Sequence, residues 1–373
     1  MSANAVLKIC GIILGLGAMA SASADWPLFR GDPQMSGFAS PNPTGFPDQL
    51  DEKWTFKTGD SIEGAPVTVK GVVYVGSFDK HFYAIDLATG KQKWKLKLGH
   101  IKASAAVKGD RVYVGNLNGD FYCLAAADGK ELWKFETGGE ISSGCNFHGD
   151  NILIGSHDST LYCLDSSGKK IWEVKTDGPV NGSPVVVGDT TFVAGCDSVL
   201  HILDAKTGKE LGNVDLGGQA AATAAVNGDF AFVGTMTNTV VGIDWKNRKK
   251  LWSFEAPKRS QPFYSSAAIA DGLVIAGSRD QRVYALDRNT GKEVWNVETD
   301  GMVDGSPVVV GNRVYVGCMS KGGNFYVLDL KTGKKLQELN LDSAVVGSVA
   351  VGPDCILVGT DKGMLYCLGT KAK

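Results

Sequence analysis

Eight residues recur at one position of a repeating unit, and they are the first place to look for chemistry: Glu63, Lys102, Ser142, Asn181, Ala221, Tyr264, Asp304 and Val346. Two residues further on the matching positions are small: Ala65, Ser104, Gly144, Ser183, Thr223, Ser266, Ser306 and Ser348. If the units stand around an axis, the first set rings the mouth of a channel. The second set fits where the inner chain segments crowd together. Glu63, Asn181 and Asp304 offer oxygens of the kind Ca²⁺ takes. Calcium needs several at short range, and these three stand on units one, four and seven. Glu63 and Lys102 stand on adjacent units and can pair, worth about 0–1 kcal/mol if exposed. Two readings stand open for Glu63, Lys102, Asn181, Tyr264 and Asp304: a small-ligand site, or a solvated channel mouth. No Ser/His/Asp or Cys/His arrangement follows from spacing, because every unit carries Asp or Gly at its turns. No catalytic residue and no metal ligand is assigned.

One connection between units is long, Ala256-Pro257-Lys258-Arg259-Ser260-Gln261-Pro262-Phe263-Tyr264. Loops carry function more often than strands do, and Arg and Tyr are favoured contact anchors. Lys258, Arg259, Phe263 and Tyr264 are therefore candidates for contacting a partner. The alternative is an insertion whose aromatics pack on the rim.

These positions must be held by short strands. The period is about 40 residues, as in Tyr83-Ala84-Ile85-Asp86 to Trp94 against Tyr284-Ala285-Leu286-Asp287 to Trp295. Such a period marks a repeat architecture. Within residues 101–138, Ile101 to Val107, Arg111 to Gly115, Phe121 to Leu124 and Leu132 to Glu136 read as four strands between Gly/Asn/Asp turns. The glycine ending the second strand counts the units: Gly76, Gly115, Gly155, Gly195, Gly234, Gly277, Gly317 and Gly359. The eighth unit lacks a fourth strand, and Glu52 to Gly59 supplies one ahead of the first. The expected fold is all-β, an eight-bladed β-propeller of four-stranded blades over residues 51–373, with the N-terminal strand closing the last blade. Closure hides edges that would invite aggregation.

Fourth strands carry Trp54, Trp94, Trp133, Trp172, Trp252 and Trp295, with Gly212 and Gln337 in the other two slots. Tryptophan here docks one blade on the next. The joints at Gly212 and Gln337 are expected to be the weak ones.

Residues 1–24 read as a signal peptide: Lys8, an apolar run from Ile9 to Ala20, and the Ala22-Ser23-Ala24 cleavage site. The run is short for a membrane span. The mature chain is expected to be exported, periplasmic or secreted, soluble and monomeric. Residues 25–50 hold five prolines with Trp26, Phe29, Phe38 and Phe46, and read as an arm packed on the body. A net charge of −2 argues against a nucleic-acid partner. Seven of the 8 cysteines follow residue 24. Cys123, Cys163 and Cys367 share a position that other units fill with Ala84, Ala285 or Val327, and so read as small buried hydrophobes.

The A-x-D-x-x-T-G-K-x-x-W pattern, complete in Ala84 to Trp94, resembles the docking repeat of pyrroloquinoline-quinone-like (PQQ-like) propellers. Altered copies run through the remaining units. One branch of that family comprises quinoprotein dehydrogenases, which hold PQQ and Ca²⁺ on the axis and carry adjacent cysteines and large insertions. This chain has no Cys-Cys pair. The other branch resembles the outer-membrane assembly factor BamB, compact and without cofactor. The resemblance implies a non-enzymatic scaffold in the cell envelope, with the barrel-assembly machinery as partner and neither PQQ nor Ca²⁺ as cofactor. The alternatives are a PQQ-dependent dehydrogenase and a propeller binding an extracellular ligand.

Overall fold

The computed structural model describes residues 25–39, 43, 45–257 and 260–370. The expected signal peptide, residues 1–24, lies outside them, as do Lys258 and Arg259. Eight antiparallel sheets surround one axis, forming an eight-bladed propeller. Blade 3 is representative, with strands Asn146–His148, Asn151–Ser156, Thr160–Leu164 and Lys170–Lys175 in that order outward from the axis. The middle strands are buried, while the outer strand alternates exposed and half-buried residues. This is the pattern of a sheet packed between neighbours with one edge in water.

The ring closes as the sequence predicts. Asp51–Lys57 pairs antiparallel with Met364–Gly369, placing Trp54 opposite Cys367. The two ends of the propeller thus share blade 8.

The innermost strands are shorter than predicted. In blade 2 the ladder begins at Ala106, not Ile101. The residues before it turn toward the axis and bond sideways to the next blade. The Ala65 N–H donates to Ser104 Oγ at 3.0 Å, and the pattern continues from Gly144 to Ser183, Ser183 to Thr223, Thr223 to Ser266, Ser266 to Ser306 and Ser306 to Ser348. The small-residue ring is therefore a belt of inter-blade latches as well as a steric allowance. It has gaps where the receiving position is Gly144 or Ala65.

The tryptophans dock as their N–H groups allow. Trp54 Nε1 donates to Leu87 O at 2.8 Å, and Trp94, Trp133, Trp252 and Trp295 repeat the contact on Ala126, Ser166, Arg288 and Leu330. Trp172 packs likewise, but its Nε1 is buried without a partner. The turn glycine of the next blade lies on each indole: at Gly90 (φ 69°) a Cβ would come within 2.7 Å of Trp54 Cδ2. That close approach and the left-handed backbone both require glycine.

The two joints expected to be weak are filled differently. Arg248 occupies the turn position where other blades have this glycine, and its side chain lies in the space a Cβ on Gly212 would need. Gln337 faces the blade whose turn is lost at the chain end. Its amide instead clamps Leu50, accepting from Leu50 N at 2.8 Å and donating to Leu50 O at 2.7 Å.

The arm packs on the body, along a path the sequence did not disclose. It runs around the axis beneath the blades. Thr68, Val107, Val186, Val226, Ile269 and Val309, on the inner strands of blades 1, 2, 4, 5, 6 and 7, donate their N–H groups to Trp26, Pro27, Pro33, Gln34, Ser36 and Gly37. In blade 3 the equivalent Phe147 N–H is taken by Asn146 Oδ1, and the Asn146 amide bonds Pro33 O. Phe38–Ala39 then adds a parallel strand to blade 7. The inner edges of seven blades are thereby tied down.

Candidate functional site

A cavity of about 680 Å³ lies on the axis, against the arm. Phe29 of the arm forms part of its floor. Glu63, Lys102, Asn181, Tyr264 and Asp304 all line it, together with six of the latch hydroxyls. Each latch oxygen accepts a backbone N–H, which leaves its own O–H to offer to the cavity.

The charged members are paired. Lys102 Nζ lies 3.5 Å from Glu63 Oε2. Arg279 grips Asp304 with two bonds, Nε to Oδ1 at 2.8 Å and Nη2 to Oδ2 at 2.6 Å. The same guanidinium lies 3.9 Å over the Tyr264 ring. The Asp304 hydrogen bonds hold the guanidinium above its ordinary pKa despite partial burial. This fork is rigid, so Arg279 is a fixed part of the wall. Asn181 turns its amide to Cys196 Sγ at 3.0 Å and Ala220 O at 3.3 Å.

A second ring was missed from the sequence. It comes from the turn just after each counting glycine: Phe78, Leu117, His157, Cys196, Met236, Arg279, Met319 and Asp361. Their N–H groups bond carbonyls at the entrance to the inner segments, as His157 N does to Glu140 O at 2.9 Å. The position lies two residues after the counting glycine except in blade 4, where the strand ends at Ala194 and Cys196 directly follows Gly195. In blade 3 it brings Ser142 Oγ to 2.9 Å from His157 Nε2, while His157 Nδ1 lies 3.5 Å from Glu140 Oε2.

The long connection divides. Phe263 is fully buried and packs against Tyr284 with ring centroids 5.8 Å apart. Buried there, it has no surface to offer the partner suggested for it. Tyr264 faces the cavity.

The residues offered for calcium stand apart around the cavity wall. Two of the three residues offered for the metal hold ion pairs on different blades, Glu63 with Lys102 and Asp304 with Arg279, while Asn181 donates its amide to Ala220 O on blade 5. Among the described residues no three His, Cys, Asp or Glu side chains gather as metal ligands. The cysteines among the described residues are unpaired. Burial raises the Cys123 thiol to about 11 and the Cys163 thiol to about 12, as for inert core thiols. No helix of the described residues is long and apolar enough to cross a membrane.

The comparisons agree with this architecture. BamB from Moraxella catarrhalis superimposes with a TM-score of 0.74 at 18% identity, over 87% of this chain and 98% of that one. Quinohemoprotein alcohol dehydrogenase from Comamonas testosteroni gives 0.78 at 16% identity, over 94% and 81%. A europium-containing methanol dehydrogenase gives 0.76 at 15%, over 93% and 98%. In sequence, tetrathionate hydrolase of Acidithiobacillus ferrooxidans is 37% identical over 75 residues, 19% of this chain and only 15% of that protein. The family model described as outer membrane protein assembly factor BamB matches residues 49–122. The chain is a PQQ-like repeat propeller similar to BamB. A further model, described as the beta-propeller of the beta-alanine-activating enzyme, matches residues 98–370, well over half of the sequence, and the chain belongs to that family.

Proposed function

We propose that this propeller is an exported binding module of the cell envelope, which presents its channel mouth to a protein partner and assists outer-membrane protein assembly as BamB does. The observation that carries this reading is the axial cavity. Every blade contributes to its wall, Phe29 of the arm lines it as well, and its ion pairs fix its shape. A site held on a closed ring needs little ordering when a partner's polar segment enters. The full-length likeness to BamB supports the assembly role.

The test is site-specific photo-crosslinking in envelopes of the native host. A photoreactive side chain at Ala221, on the cavity wall, should capture the barrel-assembly protein. The same group at Lys70, beside the arm, should not. Equal capture from both positions, or none from Ala221, overturns the reading.

A further inference from the structure

We propose that blade 3 carries a serine acyl-transfer site, with Ser142 as nucleophile, His157 as its base and Glu140 as the residue that orients the histidine. The inference goes beyond the binding role and shares only its cavity.

The geometry has the order such chemistry needs. Ser142 Oγ lies 2.9 Å from His157 Nε2, and the other ring nitrogen faces the Glu140 carboxylate at 3.5 Å. An acid on Nδ1 favours the tautomer in which Nε2 is free to take the serine proton. All three residues line the cavity. Hydrogen bonds of this kind are often long without substrate and shorten around it.

The local backbone fixes the arrangement. His157 N donates to Glu140 O, and Ser156 Oγ donates to Gly139 O at 3.1 Å. A Cβ on Gly139 would come within 2.6 Å of Asp158 N. Only glycine lets the Glu140 segment lie this close to the His157 turn. Ser143, next to the nucleophile, has a buried hydroxyl without a partner among the described residues and lines the same cavity.

The reaction is ester hydrolysis. Ser142 Oγ bonds to the acyl carbon as its proton passes to His157 Nε2. The acyl–oxygen bond to the alcohol breaks, and His157 returns the proton to the departing alcohol. Water then attacks the acyl-serine, giving its proton to His157, and the carboxylic acid leaves with Ser142 restored. The wall selects the alcohol: latch hydroxyls such as Ser104, Ser183 and Ser306 offer O–H donors, with the Tyr264 and Phe78 rings beside them. That combination suits a polyhydroxylated alcohol, so the substrate class is an O-acylated sugar.

The experiment uses the mature chain, a fluorophosphonate reagent, and hydrolysis of 4-nitrophenyl acetate and 6-O-acetylglucose. Labelling should map to Ser142, and Ser142→Ala should abolish it. His157→Gln should slow hydrolysis by about 10²–10⁴-fold, the usual contribution of a general base. Glu140→Gln should slow labelling, and Glu140→Asp should restore part of it. Circular dichroism and thermal melting of each variant should match the parent. Absence of label on the parent, or undiminished label on folded Ser142→Ala, overturns the site. Labelling with no hydrolysis of either ester also overturns the hydrolytic assignment. If Ala221 still captures its partner while Ser142 stays unlabelled, only the catalytic inference fails; label without capture fails the binding role instead.

Discussion

At the joint between blades 4 and 5, Gly212 meets Arg248 where other joints set tryptophan against glycine. The large and small partners have exchanged sides. Placing Trp at position 212 alone overpacks the joint, because the arginine already fills the space. We expect Gly212→Trp to destabilise the protein by about 1–3 kcal/mol. The pair Gly212→Trp with Arg248→Gly should recover most of that loss, since glycine also relieves the positive φ of 56° at position 248. Urea unfolding of the four proteins in the cycle measures the coupling, and additive effects would refute the exchange. The missing tryptophan was legible in the sequence; its replacement was not, because Arg248 lies 36 positions from Gly212. The same limit hid His157. Its equivalents along the repeat are Phe78, Leu117, Cys196, Met236, Arg279, Met319 and Asp361, so no shared polar type marks the position.

The arm acts at the scale of a whole element. Its carbonyls take N–H groups from six inner strands, and Trp26, Leu28 and Met35 are buried beneath the blades. Arg30 is buried as well, with Nη2 donating to Ala267 O at 2.9 Å on blade 6. Burial lowers its pKa to about 9. A chain beginning at residue 45 loses all of this. Each lost bond costs about 0.5–1.5 kcal/mol net, and the buried side chains add about 1.5–3 kcal/mol each. We expect the truncated protein to remain a propeller by circular dichroism but to unfold at a markedly lower denaturant concentration. An unchanged midpoint would mean the arm only rests on the body. Prolines and aromatics announced that the segment packs. Its route depends on inner-strand N–H groups of six blades facing the axis together, which is a property of the closed ring rather than of any segment.

Acid should probe the closed ring as a whole, because the inter-blade turns titrate together. Asp86, Asp204, Asp287 and Asp329 each accept bonds from a Thr hydroxyl and the same Thr's backbone N–H. The hydroxyl bond is the main reason each carboxyl sits below its ordinary pKa. With the folded value below the unfolded one near 3.9, the stabilisation is full above about pH 5. It is lost as pH falls through the folded values. These turns carry Gly90, Gly208, Gly291 and Gly333, which lie on Trp54, Trp172, Trp252 and Trp295. Protonation therefore loosens four blade joints at once. Because the ends of the chain meet in blade 8, a loosened joint weakens the closure of the entire ring. Melting temperature should be level from pH 7 to about 5 and fall steeply below about 4. The quadruple change Asp86→Asn, Asp204→Asn, Asp287→Asn and Asp329→Asn removes these four titrating groups while keeping an oxygen acceptor. Its melting temperature should start lower at neutral pH and fall less on acidification. Parallel acid limbs for the two proteins would assign the acid sensitivity to other carboxylates and refute the coupling of turn to joint.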